Sequence, residues 1–343
     1  MKRIGIAIVL AAFAAAAIMV VVRLQHTPVN RTVDVAAVNE SKQALKKVVI
    51  NEAARTLLYL PLYHAVEKGY FRDAGIDVKI VTGGTATASF ASMLSGEAEF
   101  AQADPMYVPI SREKGGETKV VAQVVGRIAV WGVTLDPNVK EMTAATLRGR
   151  KIATHPRPMT AFTYTDKLIR NLGLQPDKDV ELVTSTPGTE IASLLNHQAD
   201  FMVSVEPNVS KAETQGGHVV LSFAKMFGDQ VLTGLMTRET FIKENRDVVV
   251  AVVRAYQKAL NDIHARPDSA LISAKAYFPQ LEQHTMRIAI QRLIDDQVFP
   301  QSVLISDDSW NKAVAVRVEA GDLKSSAILK ESCDTSIMEA GAK

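Results

Sequence analysis

Cysteine is almost missing from this chain: its 343 residues hold one, Cys333, in a polar C-terminal stretch. A single thiol excludes an internal disulfide framework and any multi-cysteine metal site. A surplus of one charge is missing as well. Thirty-nine lysines and arginines face 37 aspartates and glutamates, for a net charge of +2. That balance gives no electrostatic footprint for nucleic acid. Catalytic signatures are also lacking. There is no Gly-x-Ser-x-Gly elbow, no His-Glu-x-x-His and no phosphate loop, and the seven histidines do not fall at metal-ligand spacings. No catalytic residue, metal or cofactor is expected.

What the chain does have is an ordinary globular composition, 47% hydrophobic and 22% charged, in a length that favours two domains over one core. Its first residues form a separate unit. Lys2 and Arg3 precede an uncharged apolar run from Ile4 to Val22, which Arg23 ends. A basic start and an apolar core address a chain to the export machinery, and the run is about long enough to span hydrocarbon as a helix. Residues 1–24 therefore read as a signal peptide or a membrane anchor, residues 25–46 as a linker, and the rest as lying outside the cytoplasmic membrane.

The middle of the chain repeats itself. Asp77-Val78-Lys79-Ile80-Val81-Thr82 resembles Asp179-Val180-Glu181-Leu182-Val183-Thr184, and both alternate like half-buried strands. Ala91-Ser92-Met93-Leu94 then matches Ala192-Ser193-Leu194-Leu195, Ala98-Glu99-Phe100 matches Ala199-Asp200-Phe201, and Asp104-Pro105 matches Glu206-Pro207. Upstream, Val48-Val49-Ile50 corresponds to Lys151-Ile152-Ala153-Thr154. Each copy alternates strand and helix, which predicts a parallel sheet with helices on its faces. The fold class is therefore α/β, with two similar lobes. From Asn245 onward the chain reads as helices packing back on the first lobe.

Open parallel sheets bind ligands at the carboxyl ends of their strands, so the loops after the strands are the candidate site. If the lobes face each other, Asp104 and Glu206 point into one cleft, where paired carboxylates would accept hydrogen bonds from an amine or an N–H-rich heterocycle. Capping of the helix that follows each proline is the alternative. Gly84 and Thr85, before one helix, and Thr160, at the start of another, could hold an anion on backbone N–H groups or act as plain caps. Arg55 and Arg157, in matching loops, could pair an anionic group. Tyr59 and Trp131 could stack on a planar ligand or fill the core. His155 lies in a cleft loop and is at most a ligand contact.

Several stretches together resemble the periplasmic solute-binding proteins of ABC importers, in the group for nitrate, taurine, alkanesulfonates and thiamine-pyrimidine precursors. They are Pro61-Leu62-Tyr63-His64-Ala65-Val66-Glu67-Lys68-Gly69-Tyr70-Phe71, Ala74-Gly75-Ile76-Asp77-Val78, Leu94-Ser95-Gly96-Glu97-Ala98-Glu99-Phe100, Leu147-Arg148-Gly149-Arg150-Lys151-Ile152-Ala153 and Gln198-Ala199-Asp200-Phe201. The resemblance implies a type II periplasmic-binding-protein fold with a two-strand hinge. Lobe one would comprise residues 47–131 plus 219–325, lobe two residues 132–218, and residues 326–343 a polar tail. It also implies that Glu52, Thr56 and Arg127 join Gly84, Thr85, Asp104, Thr160 and Glu206 around a small-molecule solute, with an ABC permease as partner and the chain a periplasmic monomer. The chain lacks the aromatic common in such proteins between Asn51 and Arg55, and its acid at Asp104 suits an amine-bearing or heterocyclic solute better than an anion. An enzyme of pyrimidine or thiamine-precursor metabolism on the same fold, or an anchored solute sensor, are the alternatives.

Overall fold

A computed structural model describes residues 44–343 apart from Pro158 and Ser325. The expected signal peptide or anchor and nearly all of the linker lie outside the described residues. Among those described, no helix is long and apolar enough to cross a membrane.

Among the described residues, ten strands carry the fold: β1 Lys46–Glu52, β2 Ile76–Thr82, β3 Phe100–Ala103, β4 Thr118–Val125, β5 Trp131–Thr134, β6 Lys151–Thr154, β7 Glu181–Thr184, β8 Phe201–Ser204, β9 His218–Ser222 and β10 Thr233–Arg238. They form two five-stranded sheets of the same plan, ordered β2-β1-β3-β10-β4 and β7-β6-β8-β5-β9. The internal repeat is real to the residue. Ile50 lies opposite Ile80 and Phe100, and its counterpart Ile152 lies opposite Leu182 and Phe201. The inner strands β3 and β8 are buried along their whole length, as strands covered by helices on both faces must be.

Each sheet has one antiparallel inner strand, and the two lobes exchange roles there. On leaving the first sheet the chain enters β5, between β8 and β9 of the second. On returning it enters β10, between β3 and β4 of the first. Gly234 in β10 allows a tight fit, since a Cβ there would stand 2.9 Å from Val120 Cγ1 and 3.0 Å from Pro105 Cβ. The two crossings run side by side: Phe223 N donates to Val130 O, Gln230 N to Gly126 O and Leu232 N to Val125 O.

Two expectations need correction. The second crossing does not begin at residue 219. Strand β9 completes the second sheet through Ser222, and Phe223 is fully buried in that lobe's own core. Nor is 326–343 simply a polar tail. It folds into short helices Leu329–Ser332 and Thr335–Gly341, with Leu329, Cys333, Ile337 and Met338 buried. Asp334 caps the last helix by accepting from Ile337 N, and its own N–H donates to Val120 O of β4. The last helix packs on the long helix Arg246–Ala265, close enough that a Cβ at Gly341 would stand 2.4 Å from Val253 Cγ1.

Among the described residues, three apolar clusters hold the fold together. One lies inside the second lobe around Ile152, Leu168 and Phe201, and one under the first sheet around Met93, Trp310 and Cys333. The largest joins the first lobe to the second, linking Ile50, Tyr256 and Leu293 with Trp131, Met202 and Val209. The lobes are thus in apolar contact.

Candidate functional site

The carboxyl ends of the first-sheet strands are organised by Glu52, whose carboxylate is completely buried. It accepts from Tyr63 Oη at 2.5 Å, Arg55 Nε at 2.7 Å and Thr82 Oγ1 at 2.8 Å. The Arg55 guanidinium lies 5.3 Å from the ring centres of Tyr63 and Tyr277, a cation–π arrangement. Glu52 and Arg55 therefore satisfy each other and fix the loop. Thr56 caps the 3-10 turn Leu57–Tyr59, and Tyr59 is buried, its hydroxyl pushed well above the usual phenol range by burial. Gly84 adopts a left-handed φ of +82°. Thr85 is an N-cap, its hydroxyl accepting from Ala88 N at 3.1 Å. Of the two readings open for Thr85, this is the capping one.

Asp104 and Glu206 occupy equivalent tips, but they do not share a cleft as a carboxylate pair. Each is claimed by an arginine from a different C-terminal helix. Asp104 accepts from Met106 N at 2.9 Å and pairs with Arg317 of helix Asp307–Glu319. Glu206 accepts from Ser210 N at 3.1 Å and Ser210 Oγ at 2.8 Å, and pairs with Arg292 Nε of helix Gln283–Asp295 at 2.7 Å. Each arginine also holds a second carboxylate: Asp322 for Arg317 and Glu213 for Arg292. Glu206 is buried and Asp104 only partly so. Burial raises the Glu206 carboxyl, and Arg292 and Ser210 offset only part of the rise.

Two further expected ligand residues belong to the crossings instead. Trp131 is fully buried, with no face left for stacking, and its Nε1 donates to Asp296 at 2.7 Å. Asp296 also accepts from Ser222 Oγ at 2.6 Å and Lys225 Nζ at 2.9 Å, so one carboxylate ties down both crossings. Arg127 bonds Asp229 at 2.8 Å and Gln297 at 2.6 Å. Arg157 is exposed, stacked 4.3 Å from the Phe162 ring centre.

Between the lobes a cavity of about 50 Å³ remains. Asp104 and Met106 come from the first lobe and Thr160, Thr163 and Tyr164 from the second. Gln230 and Leu232 of the second crossing close one wall, and Val316 and Arg317 another. Of the twelve residues expected at the site, Asp104 and Thr160 line this cavity. Reading the sequence missed Tyr164, Gln230 and Arg317. Gln230 donates to Tyr164 Oη across the gap, joining crossing to lobe. No local pattern marks these three, because their neighbours in space come from distant parts of the chain.

Elsewhere the second lobe holds a buried polar knot. Glu190 accepts from Ser204 Oγ, from Asn208 Nδ2 at 2.9 Å and from Gly188 N at 2.6 Å, with His155 Nε2 at 3.3 Å. Burial alone would raise the Glu190 carboxyl, but these hydrogen bonds outweigh it and hold it near 2. His155 is thus committed to Glu190 rather than free for a ligand. Among the described residues, no cluster of His, Cys, Asp or Glu could hold a metal ion.

The Bacillus subtilis protein YtlA, provisionally named a binding protein, is 22% identical over 289 residues, which covers 83% of this chain and 86% of YtlA. A ligand-binding component of an ABC-type import system from Staphylococcus aureus shares the fold with a TM-score of 0.68 at 14% identity, over 87% of this chain and all of that one. The periplasmic aliphatic sulphonate-binding protein SsuA of Escherichia coli gives 0.66 at 12% identity, over 86% and 99%. The desulfurization enzyme DSZB shares the fold too, at 0.63 and 14% identity over 86% and 98%. The twin lobes are therefore the type II periplasmic-binding fold. The family model described as NMT1/THI5 like matches residues 58–270, from the first lobe through the second and back, and the chain belongs to that family.

Proposed function

We propose that this protein is the extracytoplasmic solute-binding component of an ABC importer, which captures a small organic solute between its lobes and presents the closed form to a membrane permease. The observation that carries the reading is the interlobe cavity at the crossings, with walls drawn from both lobes. Its walls already meet across the gap, where Gln230 donates to Tyr164 Oη. A solute must therefore meet parted lobes and stabilise the form in which they close. The paired crossings, tied by Asp296 and Arg127, are the natural hinge. A monomer suffices, because both walls of the site belong to one chain.

The likeness to DSZB favours an enzyme as the second reading. It would need a reactive group facing the cavity. The one thiol, Cys333, is buried in the C-terminal segment beside β4, and Asp104 is already paired with Arg317. Capture without turnover fits these residues better.

The test is a thermal-shift screen of the exported part against small organic solutes, followed by small-angle scattering. A true ligand raises the melting temperature with dose and shrinks the radius of gyration. Chemical conversion of a bound solute during incubation would instead favour the enzyme.

A further inference from the structure

The two acid–proline tips are built alike, each with one guanidinium between two carboxylates, but only the Asp104 carboxylate lines the interlobe cavity. The Glu206 carboxylate is buried and spent on Ser210 and Arg292. Asp104 lines the interlobe cavity, as does Arg317.

We propose, resting on the solute-binding reading above, that the cleft takes a small organic cation whose charged nitrogen lodges against Asp104 in place of the Arg317 guanidinium. The charge count decides the sign. Arg317 faces both Asp104 and Asp322, so this corner carries a surplus carboxylate. When a cation takes Asp104, Arg317 keeps Asp322, which it already holds at 2.9 Å, and no charge loses its partner. An anion would have to draw the Arg317 guanidinium away from Asp104. Asp104 would then retain only the Met106 N–H, next to a second negative group. Such an arrangement is strongly disfavoured in a partly desolvated site. The other polar groups of the cavity, on Thr160, Thr163, Tyr164 and Gln230, are neutral. They suit the uncharged heteroatoms of a solute, while Met106 and Val316 face its carbon frame. Arg317 thus acts as a tethered stand-in for the ligand's cation, and its helix reaches the second lobe through Glu319 and Lys167, 3.2 Å apart.

The experiment titrates the full chain and two variants, Asp104→Asn and Arg317→Gln, with benzamidine, benzylamine and choline as cations and methanesulfonate and nitrate as anions. Melting temperature, calorimetry and small-angle scattering are the readouts. The expected result is that at least one cation stabilises the wild type and neither anion does. Asp104→Asn then binds that cation about tenfold or more weakly, the scale of one charge-assisted contact. Arg317→Gln binds it more tightly, because the internal competitor is gone. Stabilisation by methanesulfonate or nitrate, lost in Arg317→Gln, overturns the cation assignment and leaves solute capture standing. If no compound of either sign shifts the melting temperature and scattering shows no compaction, solute capture falls and the cation assignment falls with it.

Discussion

Replacing Glu206 by alanine should damage the fold and leave the ligand chemistry largely intact. The carboxylate is 1% exposed and holds three donors, Ser210 N, Ser210 Oγ and Arg292 Nε. Removing one partner of a buried ion pair costs about 3–5 kcal/mol when the other is left bare. Here two effects reduce that figure. Arg292 retains Glu213, and the raised carboxyl of Glu206 shows that burying its charge was itself unfavourable. The net loss should be about 2–3 kcal/mol, or roughly 3–5 °C in melting temperature for a chain of this size. Glu206→Gln keeps an acceptor for Ser210 and should lose about 1–2 kcal/mol, on the scale of a hydrogen bond to a charged group. Urea unfolding of both variants, with Arg292→Met and the double variant completing a cycle, gives the coupling across the contact between the lobes. A loss under about 1 kcal/mol for Glu206→Ala, together with a vanished solute response, would refute the reasoning and return Glu206 to the binding site.

Three other outcomes follow from the structure. Burial raises the carboxyls of both Glu206 and Glu213, so the folded form holds their protons more tightly than the unfolded chain. Their contribution to stability is fully present below the ordinary carboxylate value and is lost as pH rises through the raised ones; Glu213→Gln should flatten that part of the melting-temperature profile between mildly acidic and neutral pH. Glu190 has the opposite sign. Held near 2 against an ordinary 4.5, it contributes about 3 kcal/mol above the ordinary value, lost as pH falls toward 2, and Glu190→Gln should remove that acid-side slope in unfolding curves. Finally, Ile337→Ala should cost about 2–4 kcal/mol, and Cys333, whose thiol is pushed up by burial, should resist a thiol reagent until the native chain unfolds but react faster in that variant.

The duplicated plan was legible because a parallel sheet writes itself locally. The match of Asp77–Thr82 to Asp179–Thr184 already contains the register that sets Ile50 and Ile152 between their neighbours. The equivalence of Asp104 and Glu206 was legible for the same reason. Where they point was not, since that depends on Arg317 and Arg292, which lie 213 and 86 residues away in the chain. Trp131 misled because an indole with one polar atom suits a ligand wall and a core equally; the deciding partner, Asp296, is 165 residues distant. The C-terminal segment misled through composition, with Lys330, Glu331 and Asp334 masking Leu329, Ile337 and Met338. In each case the missing information was a long-range pairing that periodicity cannot carry.

The exchange of inner strands between the sheets sets an order on how the molecule can be made. The first sheet has its slot between β3 and β4 filled by residues 233–238, which follow the whole of the second lobe in the chain. Until they arrive, β4 has no strand beside it on that side, and β3 stops at an unpaired edge. The second sheet meets no such delay, since β5 through β9 are contiguous. The half that emerges first is therefore completed last, and a fragment ending at residue 131 should be unable to hold a native sheet, whereas one spanning residues 126–232 has every strand its own sheet needs.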